Sequence, residues 1–574
     1  MEEKKFNAKL FAIILIIFVI AVVMVSYFLL SDVFEKDDDE EYASSRTSRT
    51  SQEEEPAVQG ETKGVKTVNE YAIKDNNFSK FDFAFLKFEN EKENKIYSPL
   101  SIKYAFKMLE EGTTGDSHDQ IADIVGAYNL TEYESNNKMA LANAIFIRDD
   151  YRDNIKESYI NALRTKYNAT VEFDTFSSAN NINLWVKGHT LNLIPDLLQD
   201  SDVTDLNFAL VNALGIDMDW EHKFLKHDYS DDSNISSGAS YPHERIEGET
   251  YQFEWHSPDE LVAKKFDGNQ KASSMQVLAS FNNYYIMTEL GEDKIRETVY
   301  EDFKEWALKN KEYESYSFNN DFSEANIRKV FDDWFDNTKY PEYGYINLIK
   351  QNYGKAEYST DFELYVDDTV KVFAKDLEEV NGTTLQYVGI MPIKDDLDEF
   401  IAQSTNTDIA NYIDSLKELK SENFKDGYIT YIHGYIPKFE FEYELNLKED
   451  LEKMGVTDVF EQGKAKLTKI TDDKDVYIDT AKHKANIEFT QDGIKAAAAT
   501  MALGWGAGDW YDYFFEIPTE NIDITFDKPY MFLVRDKVTG ETWFVGTVYE
   551  PLNPDDDTTQ TYMYDAWEDR ENTD

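Results

Sequence analysis

Reactive side chains are plentiful in this chain, but their spacing matches no familiar catalytic or metal-binding motif. The chain has eight histidines, 112 acidic residues and no cysteine, which excludes disulfides, thiolate metal sites and a cysteine nucleophile. There is no P-loop, HExxH, GxSxG or EF-hand loop, and the histidines lack ligand spacing. Asp231 and Asp232 are better explained as solvated loop charge than as a cation site. We therefore expect neither an enzyme nor a cofactor or metal site.

The segment from Thr490 to Glu516, TQDGIKAAAATMALGWGAGDWYDYFFE, is unusual in another way. It places four alanines and a loop rich in glycines and aromatics between two patterns typical of buried strands, ANIEF and YMFLVRD. The alanine run is too short for an independent helix, and GWGAG lacks the spacing and the lysine of a phosphate-binding loop. A run of small side chains suits a segment that must enter a tight space.

The elements around this segment predict an α+β fold, because helical patterns near the start give way later to strand patterns. Residues 225–355 interrupt this order with acidic, aromatic-rich sequence, which predicts an inserted subdomain. Two helices are predicted there, the second with Ser323 as its N-cap. Their apolar faces consist of Ile295, Val299, Phe303, Trp306 and Ala307, and of Ile327, Val330, Phe331 and Trp334.

The N-terminus predicts a membrane anchor. Residues 10–30 carry no charge and would be about 30 Å long as a helix, which is enough to span a bilayer. Lys4, Lys5 and Lys9 precede them, so residues 1–9 should be cytoplasmic and everything after Leu30 extracytoplasmic. Residues 31–66 are expected to form a disordered acidic stalk and residues 553–574 an acidic tail. The net charge of −54 argues against a nucleic-acid partner or an anionic membrane surface.

Seven stretches, taken in order over residues 72–225 and 355–552, resemble the serpin family of protease inhibitors. They include NKIYSPLSIKYAFKMLEEGTTGDSHDQI, LVNALGIDMDWEHKF, IPKFEFEYELNLKEDLEKMGVTDVF, TAKHKANIEFTQDGIKAAAAT and FDKPYMFLVRDKVTGETWFVGTVYEP. The resemblance implies a metastable serpin domain over residues 67–552, of the bacterial type. It has a central mixed β-sheet, two further sheets and helices packed around them, and it would be a monomer.

The resemblance also implies a role for the alanine-rich segment. In serpins a protease cuts an exposed loop, and the hinge before it then enters the central sheet as an additional strand. Here the hinge is Gly493, Ile494, Lys495, Ala496, Ala497, Ala498, Ala499 and Thr500. The family usually has a small residue, often threonine, directly after the hinge glycine. Ile494 departs from that pattern, and its bulk would slow insertion.

The bond that the protease cuts has two interpretations. Family spacing from Gly493 places this reactive bond at Ala507–Gly508, which suits an elastase-like protease. The loop is about ten residues longer than usual, however. If the additional residues precede the cut, the bait is an aromatic side chain and the target is chymotrypsin-like. The candidates are Tyr511, Tyr513, Phe514 and Phe515.

Two further groups of residues match family motifs. Ser98, Ser101, Asn183 and His483 match the shutter, a polar cluster beneath the sheet that controls strand separation, and Trp220 matches the breach, where insertion starts. Without the resemblance, they would be interpreted as a helix cap, ordinary polar core residues and a buried tryptophan.

The sequence therefore predicts a serpin tethered to the cell membrane that traps serine proteases as a suicide substrate, with cysteine proteases as a further class. The alternative is a non-inhibitory surface binding or adhesion module with the same fold, whose loop is cleaved without trapping. Residues 225–355 follow the predicted breach strand, so we expect them to be an exosite for the target protease, with a spacer or an independent surface module as the alternatives.

Overall fold

The computed structural model describes residues 68–89, 91–222, 224, 244–246, 249–251, 261–283, 291–341, 344–347, 356–358, 361–478, 481–491, 493–494 and 519–557. They all belong to one compact unit, Thr67–Asp574. No helix in these ranges is both long and apolar enough to cross a bilayer. The predicted anchor (10–30), the stalk (31–66) and most of the acidic tail lie outside them.

The α-helices of the described residues are short to medium in length. In chain order they are α1 (Lys80–Phe88), α2 (Pro99–Gly112), α3 (Gly115–Val125), α4 (Glu157–Tyr167), α5 (Asn180–His189), α6 (Asp200–Val203), α7 (Glu292–Lys309), α8 (Glu324–Asp336), α9 (Leu397–Gln403), α10 (Asn406–Asp414) and α11 (Leu447–Lys453).

The strands are more numerous, as expected for an α+β fold. In chain order they are β1 (Lys95–Tyr97), β2 (Met139–Arg148), β3 (Thr170–Asp174), β4 (Phe208–Ile216), β5 (Met218–Asp219), β6 (Glu244–Ile246), β7 (Glu249–Tyr251), β8 (Val262–Phe266), β9 (Gln270–Asn282), β10 (Ala356–Tyr358), β11 (Glu363–Val366), β12 (Val370–Asp376), β13 (Leu385–Pro392), β14 (Lys417–Glu418), β15 (Ile429–Pro437), β16 (Phe439–Asn446), β17 (Lys482–Phe489), β18 (Gly493–Ile494), β19 (Thr519–Asp523), β20 (Tyr530–Asp536) and β21 (Thr542–Val548).

The strands form sheets of different size. The largest has the order β1-β21-β20-β13-β12-β11-β14, and its neighbouring strands are antiparallel. Helix α2 packs against it and begins at Ser98, whose side chain accepts a hydrogen bond from the backbone of Ser101, with Pro99 at the first helical position. Three smaller groups of strands, β3-β2-β4, β16-β17 and β18-β5, lie where the resemblance implies one central sheet.

A five-stranded sheet changes the bounds of the predicted insertion. Its path is β10-β9-β15-β19, with β8 also paired to β9. Strands β8 and β9 lie inside the predicted subdomain 225–355, yet β9 pairs along its length with β15, from Ser274↔Pro437 to Asn282↔Ile429. These residues therefore belong to the main body. Local sequence could not reveal this, because the partner strand is about 150 residues away in the chain.

Within that range, a helical hairpin formed by α7 and α8 has its own hydrophobic core. Both predicted apolar faces are confirmed: the described core contains Ile295, Val299 and Phe331, while the other members of the two faces are buried or packed against it. The predicted N-cap is also confirmed, since the Ser323 hydroxyl accepts from the backbone of Asn326.

A buried ionic cluster joins α1, α2 and the turn before β21. Lys103 Nζ lies 2.8 Å from an Asp82 carboxylate oxygen and 2.9 Å from Glu541 Oε1, and all three side chains are fully buried. The Tyr128 hydroxyl donates to the other Glu541 oxygen at 2.5 Å. Burial raises the pKa of Glu541, while Lys103 and Tyr128 oppose that rise.

We expect Lys103→Met to destabilise the fold by about 3–5 kcal/mol, because it leaves two buried carboxylates without their cation. The matched control is Lys107→Met on the same helix, whose pair with Glu110 is partly exposed, so its cost should stay within about 1 kcal/mol. Urea unfolding measures both. An equal loss of unfolding free energy in the two variants would contradict this prediction, because it would mean that the buried pair is worth no more than the partly exposed one.

Candidate functional site

Trp220, the predicted breach residue, touches the segment that leads to the hinge. Its side chain is 1% exposed and packs edge-on against Phe489 and Tyr387, with ring centroids 5.5 and 6.3 Å away. The indole Nε1 donates to the carbonyl of Thr490 at 3.0 Å. Thr490 follows β17 and precedes Gly493 by three residues, so Trp220 holds the chain directly before the hinge.

The first two residues of the predicted hinge already form a strand. Gly493 and Ile494 make up β18, which pairs antiparallel with β5 in the register Gly493↔Asp219 and Ile494↔Met218. Met218 is fully buried, and directly opposed residues of a pair lie on the same face of a sheet. The departure noted at Ile494 therefore falls at a backbone position that is already paired with a strand.

Below β18, the two flanking strands are not paired with each other. Strand β4 pairs with β2 and strand β17 pairs with β16, and no pairing joins β4 to β17 among the described residues. A small cavity lies between them, lined by Ile216 of β4 and Asn486, Ile487 and Glu488 of β17. The sheet is thus divided in two at the position that an entering strand would take.

The N-terminus of α2 connects the two halves at another level of the sheet. The backbone N–H of Ser98 donates to Nε2 of His483, on β17, at 2.9 Å. The hydroxyl of Ser101 donates to Oδ1 of Asn212, on β4. Helix α2 therefore bonds to both strands, and drawing them apart would strain or break one of these contacts.

The network continues from β4 into β2. Asn212 donates through Nδ2 to Oδ1 of Asn143 at 2.7 Å, and Asn143 donates to the carbonyl of Tyr167 at 2.9 Å. Sequence reasoning missed both asparagines. The signal was present, because each is a single amide in an otherwise apolar strand, in LANAIFI and in LVNALGI.

Asn183, the fourth predicted shutter residue, lies elsewhere. It sits on α5, and its Oδ1 accepts from the backbone N–H groups of Leu197 and Leu198 at 2.9 and 3.0 Å. Its Nδ2 donates to the carbonyl of Leu198 at 2.9 Å. Asn183 therefore holds the loop after α5, and the structure does not bring it to Ser98, Ser101 and His483.

His483 is neutral in the folded protein at physiological pH. It is buried on β17, and burial lowers its pKa from 6.5 to about 4. Its Nε2 can accept from Ser98 only while that nitrogen is unprotonated. Protonation would therefore remove the contact between β17 and α2 as well as bury a charge.

Because the folded pKa of His483 is depressed, we expect the native state to lose stability as pH falls from about 6.5 to about 4, by about 3 kcal/mol in total. In that window the unfolded chain takes up a proton that the folded chain excludes. His483→Asn should flatten this part of the profile, and His118→Asn, at a partly exposed histidine of α3, should not. Melting temperatures between pH 7.5 and pH 4.5 measure this, and parallel profiles for wild type and His483→Asn would contradict it.

A second ionisable group is buried beside Trp220. Lys375, on β12, donates to the carbonyl of Asp361 at 2.7 Å, and its Nζ lies 5.7 Å from the ring of Trp220 and 5.1 Å from that of Phe224. Burial lowers the pKa of Lys375 to about 7, although three carboxylates oppose this by favouring the charged form: Asp361, Asp376 and Glu221. The charge next to the breach is therefore sensitive to pH near neutrality.

Several predicted residues fall outside the described ranges. These are the remaining hinge positions Lys495–Thr500, the reactive-bond residues Ala507 and Gly508, and the aromatic alternatives at 511–515. Within the described ranges, no group of three or more histidines and carboxylates could hold a metal ion.

Known proteins match most of the chain. A family model described as Serpin (serine protease inhibitor) matches residues 75–315 and 345–551. Mouse neuroserpin is 23% identical over 518 residues, covering 86% of this chain and 93% of its own length. An uncharacterized serpin-like protein of Methanosarcina acetivorans is 24% identical over 514 residues, covering 84% of this chain and 88% of its own. Among solved structures, a thermophilic serpin named tengpin, in the native state, is 19% identical with a TM-score of 0.49, covering 83% and 97%.

The family model covers well over half of the sequence, on both sides of residues 316–344, and its match includes Trp220, His483 and the start of the predicted hinge. The chain belongs to the serpin family.

Proposed function

We propose that this serpin is a suicide-substrate inhibitor of serine proteases, with cysteine proteases as a second target class. The observation that carries the proposal is the start of the hinge, Gly493–Ile494, which pairs with β5. Below it, β4 and β17 are not paired with each other among the described residues. Because the first two residues of the hinge are already paired in the sheet, the following hinge residues can enter quickly.

The chemistry belongs to the protease. Its serine oxygen attacks the carbonyl carbon of the residue before the reactive bond, the C–N bond breaks, and the amine leaves with a proton, so that an ester joins serpin and protease. Insertion from Gly493 to Ala507 then carries that ester about 45 Å, at about 3.3 Å per residue. The protease is distorted before water can release it.

In this proposal, the serpin's own residues control when the sheet opens. Trp220 holds Thr490 at the top of the opening, while Ser98 and Ser101 tie His483 and Asn212 together below it. These contacts would supply part of the kinetic barrier that retains the intact form.

The target preference follows from the loop. A cut at Ala507–Gly508 suits an elastase-like protease, and a cut after one of the aromatic residues Tyr511, Tyr513, Phe514 or Phe515 suits a chymotrypsin-like one. The acidic residues Asp509, Asp512 and Glu516 favour a target with a basic surface.

We propose further that residues 10–30 anchor the protein in the cell membrane, with residues 1–9 in the cytoplasm and the serpin domain outside. The full chain should then stay with the membrane pellet after alkaline extraction, and a variant beginning at residue 67 should not. Release of the full chain by alkali would contradict the anchor.

Mixing the full chain with an active elastase or chymotrypsin tests inhibition directly. A trapped protease gives a complex that survives SDS, and mass spectrometry of the released C-terminal fragment locates the bond. If each protease gives only clipped serpin and no SDS-stable complex, the alternative is favoured, namely a non-inhibitory binding or adhesion module.

A further inference from the structure

The helical hairpin leaves the main body next to the end of the protease-binding loop. In the five-stranded sheet, Ile429 of β15 pairs on one side with Asn282, the last residue of β9, and on the other with Thr519, the first residue of β19. The loop rejoins the body at Thr519. Because neighbouring strands are about 4.8 Å apart, the hairpin departs from the sheet roughly 10 Å from that point.

The chain also returns from the hairpin at the same end of the sheet, since Ala356 of β10 pairs with Phe281 of β9. Both connections of the hairpin are therefore at the edge where the loop ends. A protease docked on the loop would approach this edge of the sheet.

Ion pairs show that α7 and α8 run antiparallel. Arg296, near the start of α7, pairs with Asp336 at the end of α8, and Lys304, near the end of α7, lies 2.8 Å from Glu324 at the start of α8. The connecting residues 310–323 thus form a tip, separated from the start of α7 by the length of that helix. Its 18 residues correspond to about 27 Å.

Two tyrosines stand out at this tip. Tyr313 is 86% exposed and Tyr316 is 94% exposed. The chain that carries them is well fixed: Phe318 is 1% exposed and packs against Phe322 and Phe303, with centroids 4.9 and 6.1 Å away. A rigid loop that presents large aromatic side chains to solvent is typical of a binding surface, because little conformational entropy is lost on contact.

Backbone hydrogen bonds add to that rigidity. The N–H of Phe318 donates to the carbonyl of Glu314 at 3.2 Å, and that of Asn320 donates to Ser315 at 2.7 Å. The side chain of Asn326, on α8, donates to the carbonyl of Phe318 at 2.9 Å. The two tyrosines are therefore exposed on a loop whose backbone is held by hydrogen bonds.

The charge of the hairpin indicates the kind of partner. Three of its basic residues, Arg296, Arg328 and Lys304, are engaged in internal ion pairs. The tip, residues 310–323, carries three carboxylates, Glu312, Glu314 and Asp321, against one basic residue, Lys311. On α7, partial burial raises the pKa of Asp302, and the neighbouring carboxylates of Glu305 and Glu301 add to that rise. Such a surface attracts a basic one.

We propose that the tip of the hairpin, Tyr313 and Tyr316 with the adjacent acidic residues, is an exosite that docks a basic surface of the target protease beside the loop. This inference rests on the proposed function, since it assumes that a protease occupies the loop. Within residues 225–355 it assigns the exosite to the tip of the hairpin, and it names the target protease as the bound partner.

The test separates docking from trapping. The probes are a cationic elastase and a cationic chymotrypsin, each with its active-site serine replaced by alanine, binding to the full chain in 50 and 500 mM NaCl. The double variant Tyr313→Ser with Tyr316→Ser should bind at least one of them about tenfold or more weakly. Binding of the wild type should itself weaken at high salt, because salt screens the acidic residues of the tip.

The control is Leu184→Ser, a change at a side chain that is 59% exposed on α5, which should bind as the wild type does. Equal dissociation constants for the double variant and the wild type, or no binding of either protease, would overturn the exosite. Active proteases then report on trapping: a difference in binding without any SDS-stable complex supports the exosite and refutes the proposed inhibition.

Discussion

A single cut in the segment between Ile494 and Thr519 is expected to raise the melting temperature of this protein by on the order of 20 °C. The cut frees one end of the segment, which can then extend β18 between β4 and β17. About 20 new backbone hydrogen bonds at about 1 kcal/mol each give roughly 20 kcal/mol. For a chain of this size, the entropy of unfolding corresponds to about 1 kcal/mol per degree.

Calorimetry before and after limited proteolysis measures this shift, and mass spectrometry of the fragments confirms where the cut lies. The matched control is a cut in the acidic tail after residue 557, which should leave the melting temperature unchanged because the tail has no strand position to enter. An unchanged melting temperature after the loop cut would mean that no strand enters, and the proposed trap would fail.

The second large effect is expected from Ala498→Arg, which should convert the inhibitor into a substrate. Ile494 lies opposite the buried Met218, and side chains of a strand alternate between its two faces. Positions 496, 498 and 500 therefore face the core when the hinge has entered. Burying an unpaired guanidinium there costs several kcal/mol, and each 1.4 kcal/mol added to the barrier slows insertion tenfold.

The control uses the same side chain one residue earlier. Ala497→Arg places the charge on the face of Asp219, which is only partly buried, so trapping should be much less affected. The measurement is the fraction of serpin recovered as SDS-stable complex relative to clipped product. We expect that fraction to fall about 100-fold for Ala498→Arg. An equal fall for the two variants would contradict the strand register from which the two faces were assigned.

Much of the fold could be predicted from local sequence. The helical faces of α7 and α8, the caps at Ser98 and Ser323, and the strands on both sides of the hinge depend on periodicity and on neighbouring residues. Seven stretches that resemble serpins in the same order along the chain identified the family. The resemblance also led to Trp220, which the structure places against Thr490.

The partners of polar residues could not be predicted in this way. Asn183 was selected for the shutter on its motif, but its side chain bonds to the backbone fourteen and fifteen residues further along. Asn212 occupies the place beside Ser101. A strand places an amide on one of its faces, but which helix reaches it depends on how the elements pack.

The amino-acid order was sufficient to reveal an alanine-rich segment between two buried strands, since small side chains and strand patterns are local properties. Three things required the folded chain: the separation of β4 from β17, the entry of Gly493 and Ile494 beside β5, and the position of the hairpin next to Thr519. Each depends on strand pairing between residues that are far apart in the chain, and such long-range pairing is decided by the packing of the whole body.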